Sequence, residues 1–291
     1  MIMYACAFVL TAQISRSILI GGMEASPDSI QRVDSARSYY PYPHTAAPQR
    51  NNSRGLAAPN SDSLEQISIT EGLAAYYPFH GNANDESGNR RDGDVHGATL
   101  TVDRFGNDRS ACQFNAGNDF ILLSHGPYFQ LRSELTVCGW VNPQGFNSGE
   151  CQSNDILHFG KTNDEPGAME FGYGDGGDCD EYNPDEERFS FGMKFVGTGF
   201  TTLTGTTIVR PAKWYFVACT FDGSSMKLYV DGVLEKSQPA VAAFKNARSS
   251  VTIGRSDNDD IPSPLKGILD DIRIYNRALN AQEIRSLYKL R

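Results

Sequence analysis

From Leu73 onward the chain is a succession of short runs rich in β-branched and aromatic residues, most of them bounded by Gly, Asn, Asp or Pro. GLAAYYPF, DFILLS, ELTVCGWVNP, DILHFGK, RFSFGMKF, WYFVACTF, MKLYVDG, SVTIGR and GILDDIRIY are of this kind. Apolar runs this short, with turn residues between them, read as strands. Several alternate. Lys227 to Asp231 and Asp271 to Tyr275 each place apolar side chains on one face and polar ones on the other, the period-two pattern of a sheet with one buried side. Many strands without helices between them give an all-β fold, a two-sheet antiparallel sandwich or jelly roll. One helix is expected, at the end. Asn280 and Glu283 make a capping-box start, and Ile284, Leu287 and Tyr288 share a face, so this helix should pack across the sandwich edge.

The first 66 residues lack this pattern. Residues 1–23 contain the apolar stretch MIMYACAFVLTA and a second short one, ILI. They resemble the core of a signal peptide without its basic start or small-x-small cleavage site. Arg16 splits the stretch, which disfavours a membrane span. Export is the reading taken, and a misplaced start with part of a true signal missing is the alternative. Residues 24–66 are rich in Ser, Pro and Asn, with prolines at 41, 43, 48 and 59, and read as a flexible, disordered linker. The sandwich is expected over residues 67–291.

Hydrophobic residues make up 40% of the 291, enough for a real core. The formal charge of -9 argues against nucleic acid as the partner and suits hard cations better. The six cysteines show no spacing that suggests zinc. If Cys6 left with an export segment, an odd number would remain, and at least one of the others would be a free, buried thiol.

The run GLAAYYPFHGNANDESGNRRDGDVHGATLTVDRFGN, then ACQFNAGNDFILL, LTVCGWVNP, WYFVACTFDGSSMKLYVDGVL, SVTIGR and GILDDIRIYNRALNAQEIRSLY, resembles the concanavalin A-like laminin-G jelly-roll domains in the family's order. The resemblance covers residues from about 71 to the end. LTVCGW and FVACTFDGSSMKLYVDG are also similar to the two cysteine-bearing strands of pentraxins. That likeness implies a Cys138–Cys219 disulfide, which in a chain-entropy model contributes on the order of 4 kcal/mol; two buried reduced thiols are the alternative. Cys151 and Cys179 flank a Gly/Asp-rich excursion and are paired here as its staple, although connectivity does not follow from sequence.

Calcium takes six to eight oxygen ligands, typically on acidic loops. The turn from Asn82 to Asn89 resembles one that lies beside the final strand in laminin-G-like domains, and this offers Asp85, Asn89 and Asp271 as ligands. Strict alternation sends Asp270 and Asp271 to opposite faces, so only one of them can reach a shared site. The same turn residues are also simply good turn formers. The pentraxin likeness implies a second set, Asn163 and Asp164 with Asp257 and Asp259, which could equally be solvated loops. In the excursion from Gly172 to Phe189, Tyr173 and Tyr182 could stack on a sugar ring or could anchor the loop.

The fold also hosts glycan hydrolases and lyases. A strand-borne E-x-D-x-E or E-x-D-x-x-E run, which the hydrolases need, does not occur. Nor does a QxH run, and the histidines at 44, 80, 96, 125 and 158 are scattered. The expectation is therefore not an enzyme but a calcium-binding lectin-like recognition or adhesion module, secreted or at the cell surface. Its partner would be a carbohydrate or surface glycoprotein, not nucleic acid, with no membrane insertion of the mature domain. A structural subunit of a surface polymer, self-associating into a homo-oligomer, is the second reading. A polysaccharide-active enzyme is the third.

Overall fold

A computed structural model describes residues 69–123, 129, 133–147, 153–160, 167–174, 187–197, 199–240, 250–256 and 263–290. The expectations for residues 1–66 lie outside them. In chain order the first strands are β1 (Leu73–Tyr77), β2 (Asp94–His96), β3 (Thr99–Thr101), β4 (Ala111–Asn115) and β5 (Phe120–Leu123). Then come β6 (Leu135–Pro143), β7 (Asn154–Phe159), β8 (Met169–Gly174), β9 (Arg188–Lys194) and β10 (Phe200–Ile208). The last are β11 (Tyr215–Phe221), β12 (Ser225–Val230), β13 (Val233–Pro239), β14 (Val251–Ile253) and β15 (Lys266–Tyr275), followed by the helix α1 (Ala281–Lys289).

Two antiparallel sheets make the jelly-roll sandwich. The eight-stranded sheet runs β13-β12-β11-β6-β15-β4-β3, with β1 beside β15; the seven-stranded sheet runs β10-β9-β8-β7-β14-β5-β2. Alternation decides which side chains meet between them. Val137, Val217, Cys219, Leu228 and Ile274 from the first sheet and Ile121, Leu157, Phe171, Phe191 and Leu203 from the second form one buried core. Each large apolar side chain so buried stabilises the fold by roughly 1.5–3 kcal/mol relative to exposure.

Alternation fails at one place in β15. Asp270 pairs with Trp140 and Arg273 with Cys138, so Asp271 and Ile272 together oppose the single residue Gly139. Asp271 has φ 55, the left-handed backbone of a β-bulge. The bulge shifts the core-facing parity from Leu269 to Ile272 and Ile274, and both aspartates end on the outer face of the eight-stranded sheet. Gly139 must be glycine, because a Cβ there would lie 2.4 Å from Ile272 Cδ1.

The helix starts as expected. Asn280 Oδ1 accepts from the amides of Gln282 and Glu283, and Glu283 Oε2 accepts from the Asn280 amide, a reciprocal capping box. It packs on a face rather than on the sandwich edge. Ile284 and Leu287 lie with Cys138, Phe216, Ala218, Tyr229 and Tyr275, the outward residues of the eight-stranded sheet. Those positions are apolar, so they need a cover that a sheet edge would not. α1 therefore closes one outer face of the sandwich, and the comparable face of the other sheet is polar.

Candidate functional site

Strand pairing carries one row of outward side chains across the whole seven-stranded sheet: Asp94, Leu122, Thr252, His158, Glu170, Gly192 and Thr202. A second, shorter row runs Asp155, Gly172, Ser190, Thr204. Both rows lack large aliphatic side chains except Leu122. The glycines have steric reasons. A Cβ on Gly192 would meet the Phe200 ring at 2.2 Å, and one on Gly172 would meet the Asn154 carbonyl oxygen at 2.3 Å. Phe200 therefore lies over Gly192 on this face.

At the centre, Ser153 Oγ stands 2.9 Å from Asp155 Oδ1 and 2.9 Å from Glu170 Oε1. One hydroxyl proton cannot serve two carboxylates. Asp155 is 1% exposed, and its Oδ2 has no hydrogen-bond partner among the described residues. Burial, and then the charge of Glu170, push its carboxyl well above the usual range, against a smaller opposing pull from Ser153. Ser153 thus bridges the two carboxyl groups. Asn147 Nδ2 donates to the carbonyls of Ser153 (3.1 Å) and Pro264, and the Asp155 amide donates to Ser263 O at 3.1 Å.

Towards β2 the face opens to solvent. His96 and Phe120 are cross-strand partners with stacked rings, centroids 4.4 Å apart and planes 6° from parallel. The Arg255 guanidinium sits 5.2 Å from the Phe120 centroid and donates to Asn118 Oδ1 at 3.2 Å. Asp94 Oδ2 is 3.1 Å from His96 Nε2. A flat π surface edged by a carboxylate, an amide and a guanidinium suits a ligand with one apolar face and several hydroxyls. Sequence reasoning missed Asp155, Glu170 and Ser153. Their signal was a single acidic residue inside each of two apolar strands, NDILHF and MEFGYG, which marks one face of a sheet.

Of the residues proposed for calcium, Asp85, Asn89 and Asp271 are each engaged by neighbouring groups of the protein. Asp85 Oδ1 accepts from the amides of Tyr76 and Ser87 and Oδ2 from that of Arg91, all at 2.9–3.0 Å. Burial would raise this carboxyl, but hydrogen bonds from Ser87, Tyr76 and Arg91 outweigh it and hold it low. Asn89 uses its Nδ2 as a donor to the carbonyls of Leu73 and Ala74 at 3.0 and 3.1 Å, latching the turn to β1. Asp271 is held by Arg104 (2.7 Å), Arg273 (3.2 Å) and the Tyr76 hydroxyl. Its partner Asp270 also pairs with Arg104, so the two aspartates share one guanidinium instead of facing apart. The carboxylate oxygens of Asp85 and Asp271 are thus matched to N–H, O–H and cationic donors of the protein itself. Among the described residues, no three His, Cys, Asp or Glu side chains gather in a way that could hold a metal ion. Asn163, Asp164, Asp257 and Asp259 lie outside the described residues.

Two further expectations are corrected. Tyr173 belongs to β8 and is fully buried against Phe146 and Phe189, its hydroxyl donating to Lys266 O at 3.2 Å, so it cannot stack on a ligand. Cys138 and Cys219 are free thiols. Cys138 is opposite Ala218, and Cys219 is opposite Val137, so the two sulfurs leave the sheet on opposite sides. Tyr182, Cys151 and Cys179 lie outside the described residues.

The sequence model of the family Laminin_G_3, described as the concanavalin A-like lectin/glucanases superfamily, matches residues 115–285. No curated protein matches the chain. Among solved structures, the binding domain of Paraclostridial Mosquitocidal Protein 1 is similar with TM-score 0.60 at 16% identity, over 76% of this chain and 52% of that one. The chain thus spans about half of that domain. Domain 4 of AbnA, an extracellular GH43 arabinanase from Geobacillus stearothermophilus, solved with arabinotriose, is similar with TM-score 0.56 at 20% identity, over 75% of this chain and 98% of that one. The ligand-binding domain of Botulinum neurotoxin serotype D, solved with N-acetylneuraminic acid, gives TM-score 0.56 at 14% identity, over 77% and 52%. At these identities the likeness is one of fold.

Proposed function

This chain belongs to the Laminin_G_3 family, of the concanavalin A-like lectin/glucanases superfamily, and on that premise we propose that it is a lectin-like module binding carbohydrate on the outer face of its seven-stranded sheet. The observation that carries this reading is the exposed end of this face at β2, where Asp94 stands beside the stacked His96 and Phe120. A sugar ring lays its C–H face on the π surface, and Asp94, Asn118 and Arg255 are placed to exchange hydrogen bonds with its hydroxyls. Solved structures of the same fold with arabinotriose and N-acetylneuraminic acid support the ligand class. We place the module outside the cytoplasm, consistent with the extracellular arabinanase whose domain it matches.

The reading is of binding without turnover. Asp155 and Glu170, each 2.9 Å from Ser153 Oγ, are near enough to suggest the carboxylate pair of a retaining glycosidase. Asp155 is only 1% exposed, however, and a scissile bond cannot reach it. The pair shapes the face from beneath.

The full chain applied to an array of neutral and sialylated glycans should give saturable binding to a narrow set. Phe120→Ala should weaken that binding at least tenfold, and Val233→Ala, an exposed change on the far sheet, should leave it unaltered. An array without a hit, or Phe120→Ala binding as the parent does, refutes the proposal.

A further inference from the structure

The sandwich has an open side where both sheets end, at β2 in one and β3 in the other. Between these edge strands lies a cleft of about 400 Å³, within the size range of small-molecule sites. Phe79, Leu100 and Cys112 form its apolar interior, Val95 its outer wall, and Asn82 and Arg109 its rim. Phe79 and Cys112 are buried, but Val95 on the edge strand remains 43% exposed, a β-branched side chain with an apolar surface left uncovered.

The backbone links the interior to the rim. Phe79 and Arg109 both adopt left-handed backbone, φ 58 and φ 54, which costs a non-glycine residue energy. The Gly81 amide donates to both of their carbonyls at 2.8 Å and so clamps the two strained positions together. The outcome is that Arg109, an exposed residue, stands at the mouth of an apolar cleft. No hydrogen bond, ion pair or ring contact of its guanidinium occurs among the described residues. An apolar chamber with a cation at its lip is complementary to a ligand with an apolar body and one anionic end.

We propose that this cleft binds a small carboxylate-bearing amphiphile, its apolar chain between the edge strands and its head group on Arg109. The site is separate from the sugar face and does not depend on that reading. Decanoate below its micelle concentration is the probe and decanol the neutral control, both titrated calorimetrically into the full chain. Decanoate should bind saturably, roughly tenfold tighter than decanol, as one charge-assisted contact would give. Arg109→Asn keeps a side chain that tolerates left-handed backbone, and it should abolish the difference between the two probes. Ala98→Leu, which fills the cleft, should abolish binding of both. If Ala98→Leu does not fold, the Arg109→Asn comparison still decides. No saturable decanoate binding, equal decanoate affinity of the parent and Arg109→Asn, or binding that survives Ala98→Leu would each overturn the proposal.

Discussion

Cys138 and Cys219 occupy neighbouring paired strands, yet one sulfur lies under α1 with Tyr275 and Phe216 and the other lies in the core between the sheets. A bond between them would have to pass through the sheet. Burial pushes the Cys138 thiol up to about 12, Arg273 lowering it less than burial raises it, so this thiol is a poor nucleophile. The native protein at pH 8 should therefore leave both unlabelled by iodoacetamide. After unfolding in guanidinium without reductant, peptide mapping should find both alkylated. A disulfide-linked peptide pair would contradict the structure.

Arg104 joins both aspartates of the β15 bulge, and its side chain is 7% exposed against 3% for Asp270. Arg104→Met should leave buried negative charge short of a partner and cost about 3–5 kcal/mol in denaturant unfolding. Tyr76→Phe removes only the hydroxyl that Asp271 accepts and should cost about 1–3 kcal/mol. A loss below 0.5 kcal/mol in Arg104→Met would show that the network does not hold the bulge.

The same network gives a pH signature. Burial, then the neighbouring Asp271, raise Asp270 to about 7, outweighing the attraction of Arg104. The ordinary value is about 3.9. The folded state therefore holds this proton more tightly than the unfolded chain does. Its contribution to stability is complete below the unfolded value and is lost as pH rises through about 7. Asp270→Asn should flatten the fall in unfolding free energy between pH 4 and pH 7. An unchanged slope in that window assigns the titration elsewhere.

Asp85 accepts backbone donors from Tyr76, Ser87 and Arg91, so its work is to hold a turn. Asp85→Ala should lower the thermal midpoint by the same amount in calcium and in EGTA. A drop confined to the calcium sample would make Asp85 a ligand after all.

Asn280→Ala removes the side-chain acceptor for the amides of Gln282 and Glu283 and should destabilise the fold by about 1 kcal/mol. Because α1 covers Cys138, the same variant should increase the labelling rate of Cys138 over that of Cys219. Equal labelling of the two would argue that the helix does not open on its own.

The fold was legible because alternation is local: Leu228 and Val230, set between Lys227 and Asp231, name the buried face of their strand. The capping box of α1 could be read for the same reason. The faces of Asp270 and Asp271 could not. The bulge that unites them is imposed by pairing with Trp140 and Cys138, more than a hundred residues earlier. The disulfide expectation failed by a register of one, since Cys219 stands opposite Val137 rather than Cys138, and a one-residue slip reverses every side chain. The acidic turn drew attention because carboxylates gather there in sequence. Asp155 and Glu170 did not, because strands β7 and β8 bring them together only in the folded sheet.

β15 lies between β6 on one side and β4 and β1 on the other. Strands made early thus wait for one made last, and neither β1 nor β4 can be joined to β6 until Lys266–Tyr275 has left the ribosome. During synthesis the nascent sheet presents two unpaired edges flanking a vacancy one strand wide, so any extended apolar peptide could occupy the place of β15 before it arrives.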